Sequence, residues 1–264
     1  MGSTTAVGMV DRLDSSGSGP TETEIAFVRA YVAPGPLPPE TLARLGDPQV
    51  MATREAAQAA LRERDWANLG QYREANAALA GVPQKAVFMG DSISEFWSAG
   101  DPGLFTGGVV CRGISGQTTP QMLLRFMADV IGLKPVAVHL LAGSNDIAGN
   151  TGPTTLADYQ NNMTAMVSLA LAHGLRVILG SLTPASGFSW SPGIDPRPRI
   201  AQINAWLKTL AEERGLIHAD YHSALAAVDG GMRPEFARDG VHPTAAGYAV
   251  MRPIALAALA AAMK

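Results

Sequence analysis

Ala86-Val87-Phe88-Met89-Gly90-Asp91-Ser92-Ile93-Ser94 opens the regular part of this 264-residue chain: a short apolar run breaks at a glycine and an aspartate, and a serine follows. An unbroken apolar run of this length, bounded by turn residues, predicts a strand covered on both faces, as in a parallel sheet. Working outward, short apolar runs at residues 109–114, 137–143, 176–182 and 216–221 have the same character and bring the expected strands to five. Residues 120–131, 156–173 and 200–214, which lie between them, have helical length and periodicity. Strands alternating with helices predict an α/β protein, a three-layer α/β/α sandwich around a five-stranded parallel sheet. Loops leaving the carboxyl ends of such strands share one edge, and ligands bind there near the point where strand order reverses. Ser92 follows the first strand, Gly113 the second and Asn145 the third, while His242 stands before the last helix, whose start Pro243 marks.

Composition bounds the function. An apolar share of 47% with 16% charged residues suits one well-cored domain with an extension. The 20 Lys+Arg and 23 Asp+Glu leave a formal charge of -3, which argues against a nucleic-acid partner or a polybasic membrane anchor and suits a small, nearly neutral ligand. Cys111 is the only cysteine, so an intrachain disulfide or a multi-cysteine metal cluster is excluded. Residues 1–20 are rich in Gly, Ser and Thr and lack the basic-then-apolar order of a secretory signal. The compartment stays open: secreted or periplasmic if a signal has been removed, cytoplasmic otherwise. The longest apolar stretch near the end, residues 254–263, is short of the roughly 20 residues a membrane helix needs, so a packed terminal helix is expected and no integral membrane segment. Residues 1–50 read as a leader and extension, with Ala33-Pro34-Gly35-Pro36-Leu37-Pro38-Pro39 as a stiff surface linker. Residues 51–264 read as the domain, entered through two helices between residues 51 and 79.

Taken singly, the polar residues on that edge have ordinary structural readings. Ser92 after Gly-Asp suits a helix cap, Asp239-Gly240-Val241-His242-Pro243 a turn before a helix, Gly113 a tight turn and Asn145 an Asx-turn. Their combination on one edge, in sheet order, is what points to chemistry. A serine hydroxyl is almost fully protonated at neutral pH and attacks an acyl carbon only beside a base whose pKa, roughly 6.5 for free histidine, lies near the working pH. A carboxylate three residues away orients that imidazole. A metal reading rests on His218-Ala219-Asp220-Tyr221-His222, which alternates potential ligands along a strand. The strand is expected to end near Asp220 and turn His222 away, so no metal site is assigned. No serine has glycine both two places before and two places after it, which removes the nucleophile elbow of the α/β-hydrolases.

Four blocks of this sequence resemble those of the SGNH hydrolases, the GDSL esterase and lipase superfamily. Gly90-Asp91-Ser92-Ile93-Ser94 resembles the nucleophile block, with Ile93 in place of the leucine of the family name. Gly113 resembles the glycine block, Gly143-Ser144-Asn145-Asp146 the asparagine block, and Asp239-Gly240-Val241-His242-Pro243 the block with acid and base. The resemblance covers residues 85–256 and implies the flavodoxin-like SGNH hydrolase fold. It further implies Ser92 as nucleophile, His242 as general base and then acid, and Asp239 as its orienting carboxylate. The backbone N–H groups of Ser92 and Gly113 and the side-chain amide of Asn145 are the implied oxyanion hole. No metal or organic cofactor is implied. The implied substrate is a small-molecule or carbohydrate ester, since the superfamily acts on acetylated sugars, short-chain and aryl esters, thioesters and lysophospholipids.

Asp91 and Asp146 are expected to brace loops rather than react. The loop Thr183-Pro184-Ala185-Ser186-Gly187-Phe188-Ser189-Trp190-Ser191-Pro192-Gly193 leaves the same edge, and Phe188 and Trp190 are expected to line an acyl or leaving-group pocket. Trp97, on the helix after Ser92, is expected in the core. No long apolar lid is evident, which favours acetyl and other short-chain esters. A thioesterase or lysophospholipase of the same superfamily is the nearest alternative, and a non-catalytic carbohydrate-binding domain is the alternative from another class. Oligomeric state is open.

Overall fold

The apolar run that opens the regular sequence is β1 (Ala86–Gly90), near the middle of a parallel sheet in the computed structural model, which describes residues 22–264. The leader expected over residues 1–20 lies outside the described residues. The other strands are β2 (Val109–Gly113), β3 (Ala137–Leu141), β4 (Arg176–Gly180) and β5 (Ile217–Ala219), in the order β2-β1-β3-β4-β5. Chain direction across the sheet reverses at β1, with β2 on one side and β3 on the other. Gly90 pairs with Gly113 on one side and Leu141 on the other, so the loops leaving β1, β2 and β3 emerge next to one another.

Before the sheet come α1 (Glu22–Val32), α2 (Pro39–Gly46), α3 (Pro48–Arg64) and α4 (Arg73–Ala78). Within it follow α5 (Ser92–Gly100), α6 (Thr119–Asp129), α7 (Ser144–Ala148), α8 (Leu156–Ala172), α9 (Arg197–Arg214), α10 (His222–Leu225) and α11 (Ala245–Ala262). Strand alternation sorts the apolar side chains into two cores. Val87, Met89, Val138, Leu140, Val177 and Leu179 share one with residues of α6, α8 and α9. Ala86, Phe88, Ala137, Ile178 and Ala219 share the other with residues of α1, α5 and α11. The result is the three-layer sandwich expected.

Four strands stop short of their apolar runs because burial continues after the ladder ends. Leu182 is 1% exposed, yet its N–H donates to Asn204 Oδ1 and its carbonyl accepts from Asn204 Nδ2, so a side chain on α9 replaces the neighbouring strand. Gly143 leaves β3 at φ +135, a conformation that requires glycine, and starts α7.

The terminal helix α11 starts earlier than the apolar stretch at residues 254–263 indicated, and by length and composition it is long and apolar enough to cross a membrane. Its buried stripe, Tyr248, Met251, Ala255, Ala258 and Ala262, belongs to the core beside β5, and Arg252 pairs with Asp101. Helix α1 falls in the stretch read as an extension. It buries Tyr31 and Val32 against α5, and Arg238 donates to the carbonyls of Tyr31, Ala33 and Gly35.

One core residue makes stability depend on pH. His139 on β3 is fully buried, stacked on Phe88 at 4.2 Å and hydrogen-bonded to the Tyr221 hydroxyl at 2.8 Å, and burial drives its pKa down to about 3. The unfolded chain takes up this proton near the ordinary value of roughly 6.5, so the neutral side chain's contribution is present above that pH and lost progressively as pH falls toward 3. His139→Gln is expected to flatten the decline in stability between pH 7 and pH 4 by roughly 3 kcal/mol, read from urea midpoints at each pH. Equal slopes in the two proteins count against this assignment.

Candidate active site

The turn from β1 into α5 presents Ser92 as the first residue of the helix. Asp91 takes the capping role: its Oδ1 accepts the Ile93 N–H at 2.9 Å, which frees Ser92 for other work. The Ser92 hydroxyl lies 2.8 Å from His242 Nε2, and His242 Nδ1 lies 2.7 Å from Asp239 Oδ2. The second oxygen, Asp239 Oδ1, accepts the backbone N–H groups of Val241 and His242 at 2.9 and 2.8 Å. Gly240, at φ +75, lets the chain make that turn. Partial burial pushes the Asp239 carboxyl up, but the bonds and charge of His242 and the Val241 N–H outweigh it and hold the pKa at about 2. The imidazole is framed by Phe96 at 5.2 Å, Trp190 at 5.7 Å and the edge of Tyr31 at 6.2 Å between ring centres.

N–H groups without a partner among the described residues lie on the neighbouring loops. The Ser92 N–H, at the start of α5, has no partner among the described residues. Asn145 in α7 is buried; its Nδ2 donates one N–H to the Gln117 carbonyl at 3.0 Å and keeps the other, while its Oδ1 accepts from Asn150 Nδ2 at 2.9 Å.

Gly113 sits differently from the expectation. A Cβ there meets Glu95 N at 2.3 Å and the Asp91 carbonyl at 2.7 Å, so the glycine is needed for β2 to pack under α5 rather than for a ligand to approach. Its N–H is directed at Cys111 Sγ, 3.4 Å away, and its carbonyl accepts from the Tyr72 hydroxyl. Three residues on, Gly116 is exposed at φ +78, its N–H has no partner among the described residues, and its carbonyl accepts from Asn150 Nδ2 at 3.0 Å. The sequence signal for Gly116 is its place in the loop beyond the strand, in Ile114-Ser115-Gly116-Gln117, whereas Gly113 lies within the run at residues 109–114.

Asp91 and Asp146 act as loop braces. Burial raises both carboxyls to about 6, and Asp146 accepts the Thr119 N–H at 3.0 Å and the Thr119 hydroxyl. Of the two aromatics in the loop after β4, Phe188 is 3% exposed and belongs to the core, so it anchors the loop and does not line a pocket. Trp190 is 41% exposed and stands beside His242. Trp97 is in the core. At the alternating histidines, β5 ends at Ala219. Asp220 then accepts the Ser223 N–H, and the His222 N–H turns to Ser181 Oγ, so the three side chains do not continue one strand face.

The model of the GDSL-like lipase/acylhydrolase family matches residues 88–250. An acetylxylan esterase from Geobacillus stearothermophilus is 26% identical over 200 residues, 65% of this chain and 91% of that protein. Two solved structures share the fold with a TM-score of 0.72. One is assigned as an acylhydrolase from Bacteroides fragilis, 39% identical and covering 76% of this chain and 99% of its own. The other is a GDSL-like lipase from Bacteroides thetaiotaomicron, 38% identical and covering 74% of this chain and 98% of its own.

Proposed function

The chain belongs to the GDSL-like lipase/acylhydrolase family and is a carboxylic ester hydrolase, and from that premise we propose that it cleaves acetyl and other short-chain esters, acetylated carbohydrates among them, with Ser92, His242 and Asp239 as its triad. The observation that carries this reading is the continuous chain of short contacts from Ser92 Oγ through the imidazole to Asp239.

In the proposed reaction Ser92 Oγ attacks the ester carbonyl while His242 Nε2 takes the hydroxyl proton. Asp239, ionised, holds Nδ1–H and stabilises the imidazolium. The carbonyl oxygen becomes anionic and is met by the Ser92 N–H, the free N–H of Asn145 and the Gly116 N–H, which replaces that of Gly113 as the glycine donor. Each such donor lowers the barrier by roughly 3–4 kcal/mol. The C–O bond then breaks, and His242 returns its proton to the departing alcohol. Water adds to the acyl-enzyme by the same route in reverse, giving the carboxylic acid and restoring Ser92.

Support for a short acyl group comes from three sides. No long apolar lid is evident in the sequence, the exposed aromatic next to the imidazole is a single tryptophan, and a relative is an acetylxylan esterase. A panel of nitrophenyl acetate, butyrate and palmitate, acetylated xylo-oligosaccharide, acyl-CoA and lysophospholipid tests it. Acetate and butyrate are expected to be cleaved with the higher kcat/KM, and acetate to be released from the sugar. Faster turnover of palmitate or lysophospholipid refutes the short-chain assignment, and acyl-CoA as the best substrate makes the enzyme a thioesterase.

A further inference from the structure

A half-buried side chain outside the triad and outside the proposed oxyanion donors joins three of the loops that build the site. Asn150 Nδ2 donates to Asn145 Oδ1 at 2.9 Å and to the Gly116 carbonyl at 3.0 Å, and Asn150 Oδ1 accepts the Trp190 indole N–H at 3.1 Å. The loops after β2, β3 and β4 therefore meet on one carboxamide. Trp190 in turn packs its ring 5.7 Å from that of His242. We propose that Asn150 is a positioning residue: it selects the orientation of the Asn145 amide, and with it the orientation of the oxyanion hole, and Trp190 holds Asn150 in place.

The physical need for such a residue lies in the symmetry of a carboxamide. The oxygen and nitrogen ends of Asn145 have nearly the same shape, and rotation by half a turn exchanges a donor for an acceptor. An acceptor facing a developing oxyanion raises the barrier that a donor lowers. Two bonds oppose the exchange here: Asn145 Nδ2 gives to a carbonyl, and Asn145 Oδ1 receives from Asn150. Reversal makes both repulsive, because oxygen then faces the Gln117 carbonyl and NH2 faces NH2. Asn150 is oriented the same way in its turn. Its oxygen must face the indole, which only donates, and its NH2 must face the Gly116 carbonyl, which only accepts. The order of donors is thus set by three groups that cannot reverse roles, the carbonyls of Gln117 and Gly116 and the Trp190 indole N–H.

This inference rests on the reading of Asn145 as an oxyanion donor, and the test separates the two. Four proteins are compared on a short nitrophenyl ester: wild type, Asn145→Ala, Asn150→Ala and the double variant, with thermal melting on each to establish the fold. Asn145→Ala is expected to lower kcat by about 10²–10³. Asn150→Ala is expected to lower kcat by about tenfold to a hundredfold with KM changed less than threefold, since it disturbs a donor needed most in the transition state. In the Asn145→Ala background the same change is expected to cost no more than about threefold, because the amide it orients is gone. Asn150→Asp keeps an acceptor for Trp190 but sets a carboxylate against Asn145 Oδ1, and is expected to lose at least as much kcat as Asn150→Ala.

Two outcomes overturn the inference while leaving the donor role of Asn145 intact. One is wild-type kcat in Asn150→Ala. The other is a loss of the same factor in both backgrounds, the mark of a general structural effect. Wild-type kcat in Asn145→Ala overturns the oxyanion reading and the inference together.

Discussion

Ser92→Ala is expected to lower kcat for ester hydrolysis by on the order of 10⁴–10⁶ while leaving the melting temperature close to that of wild type. The size of the loss follows from the absence of a substitute: the hydroxyl is the group aligned with His242 Nε2 at 2.8 Å, and water in its place lacks the orientation that α5 gives it. The small effect on stability follows from the division of labour at the helix start. Asp91 performs the capping, through its bond to the Ile93 N–H, so removing the neighbouring hydroxyl leaves that backbone donor satisfied. The measurement is steady-state hydrolysis of nitrophenyl acetate with burst-phase analysis, beside thermal melting. A variant that keeps more than about a tenth of wild-type kcat refutes Ser92 as the nucleophile.

The second large effect is expected at Asp239. Asp239→Asn preserves size and can still accept the N–H groups of Val241 and His242 through an oxygen, so the turn should survive. The NH2 that replaces Oδ2 then donates to His242 Nδ1 and forces the imidazole into the other tautomer, with its proton on Nε2. In that form Nε2 has no lone pair for the Ser92 hydroxyl, and a loss of kcat of about 10⁴ is expected. Stopped-flow acylation rates give the cleanest reading, and a loss below tenfold contradicts the orienting role.

The pH dependence has a definite sign. Asp239, held at about 2, is ionised throughout the neutral and mildly acidic range, so it does not limit activity there. His242 is the base of the proposed reaction and acts there in its neutral form. Because the Asp239 pKa is depressed on folding, its contribution to stability is present above the ordinary value of 3.8 and is lost as pH falls toward 2. Asp91 and Asp146 run the other way: burial raises them to about 6, so the folded state binds their protons more tightly and their contribution is lost as pH rises through 6. A plot of stability against pH therefore combines opposing slopes, and the His139→Gln comparison isolates one of them.

The placement of Ser92, Asn145, Asp239 and His242 was legible because each lies within a few residues of a strand end or helix start, where local pattern sets the geometry. Gly113 and Phe188 show where local pattern stops. Both stand in the right segments, yet Gly113 is consumed by the packing of β2 under α5 and Phe188 by the core. Helix α1, over residues read as an extension, sets Tyr31 against His242 through contacts more than 200 residues away in sequence, which no local pattern reports.

The sequence by itself determined the alternation of strands and helices, the sheet edge at which the candidate residues gather and the residue types proposed as nucleophile, base and orienting carboxylate. These follow from side-chain periodicity and intrinsic reactivity, which are properties of short segments. Only the tertiary structure decided which backbone N–H groups remain free, which aromatic faces the imidazole and how Asn150 ties three loops together. A hydrogen bond or a steric fit between loops depends on distances of a few tenths of an ångström, and those are set when separate segments pack, not along the chain.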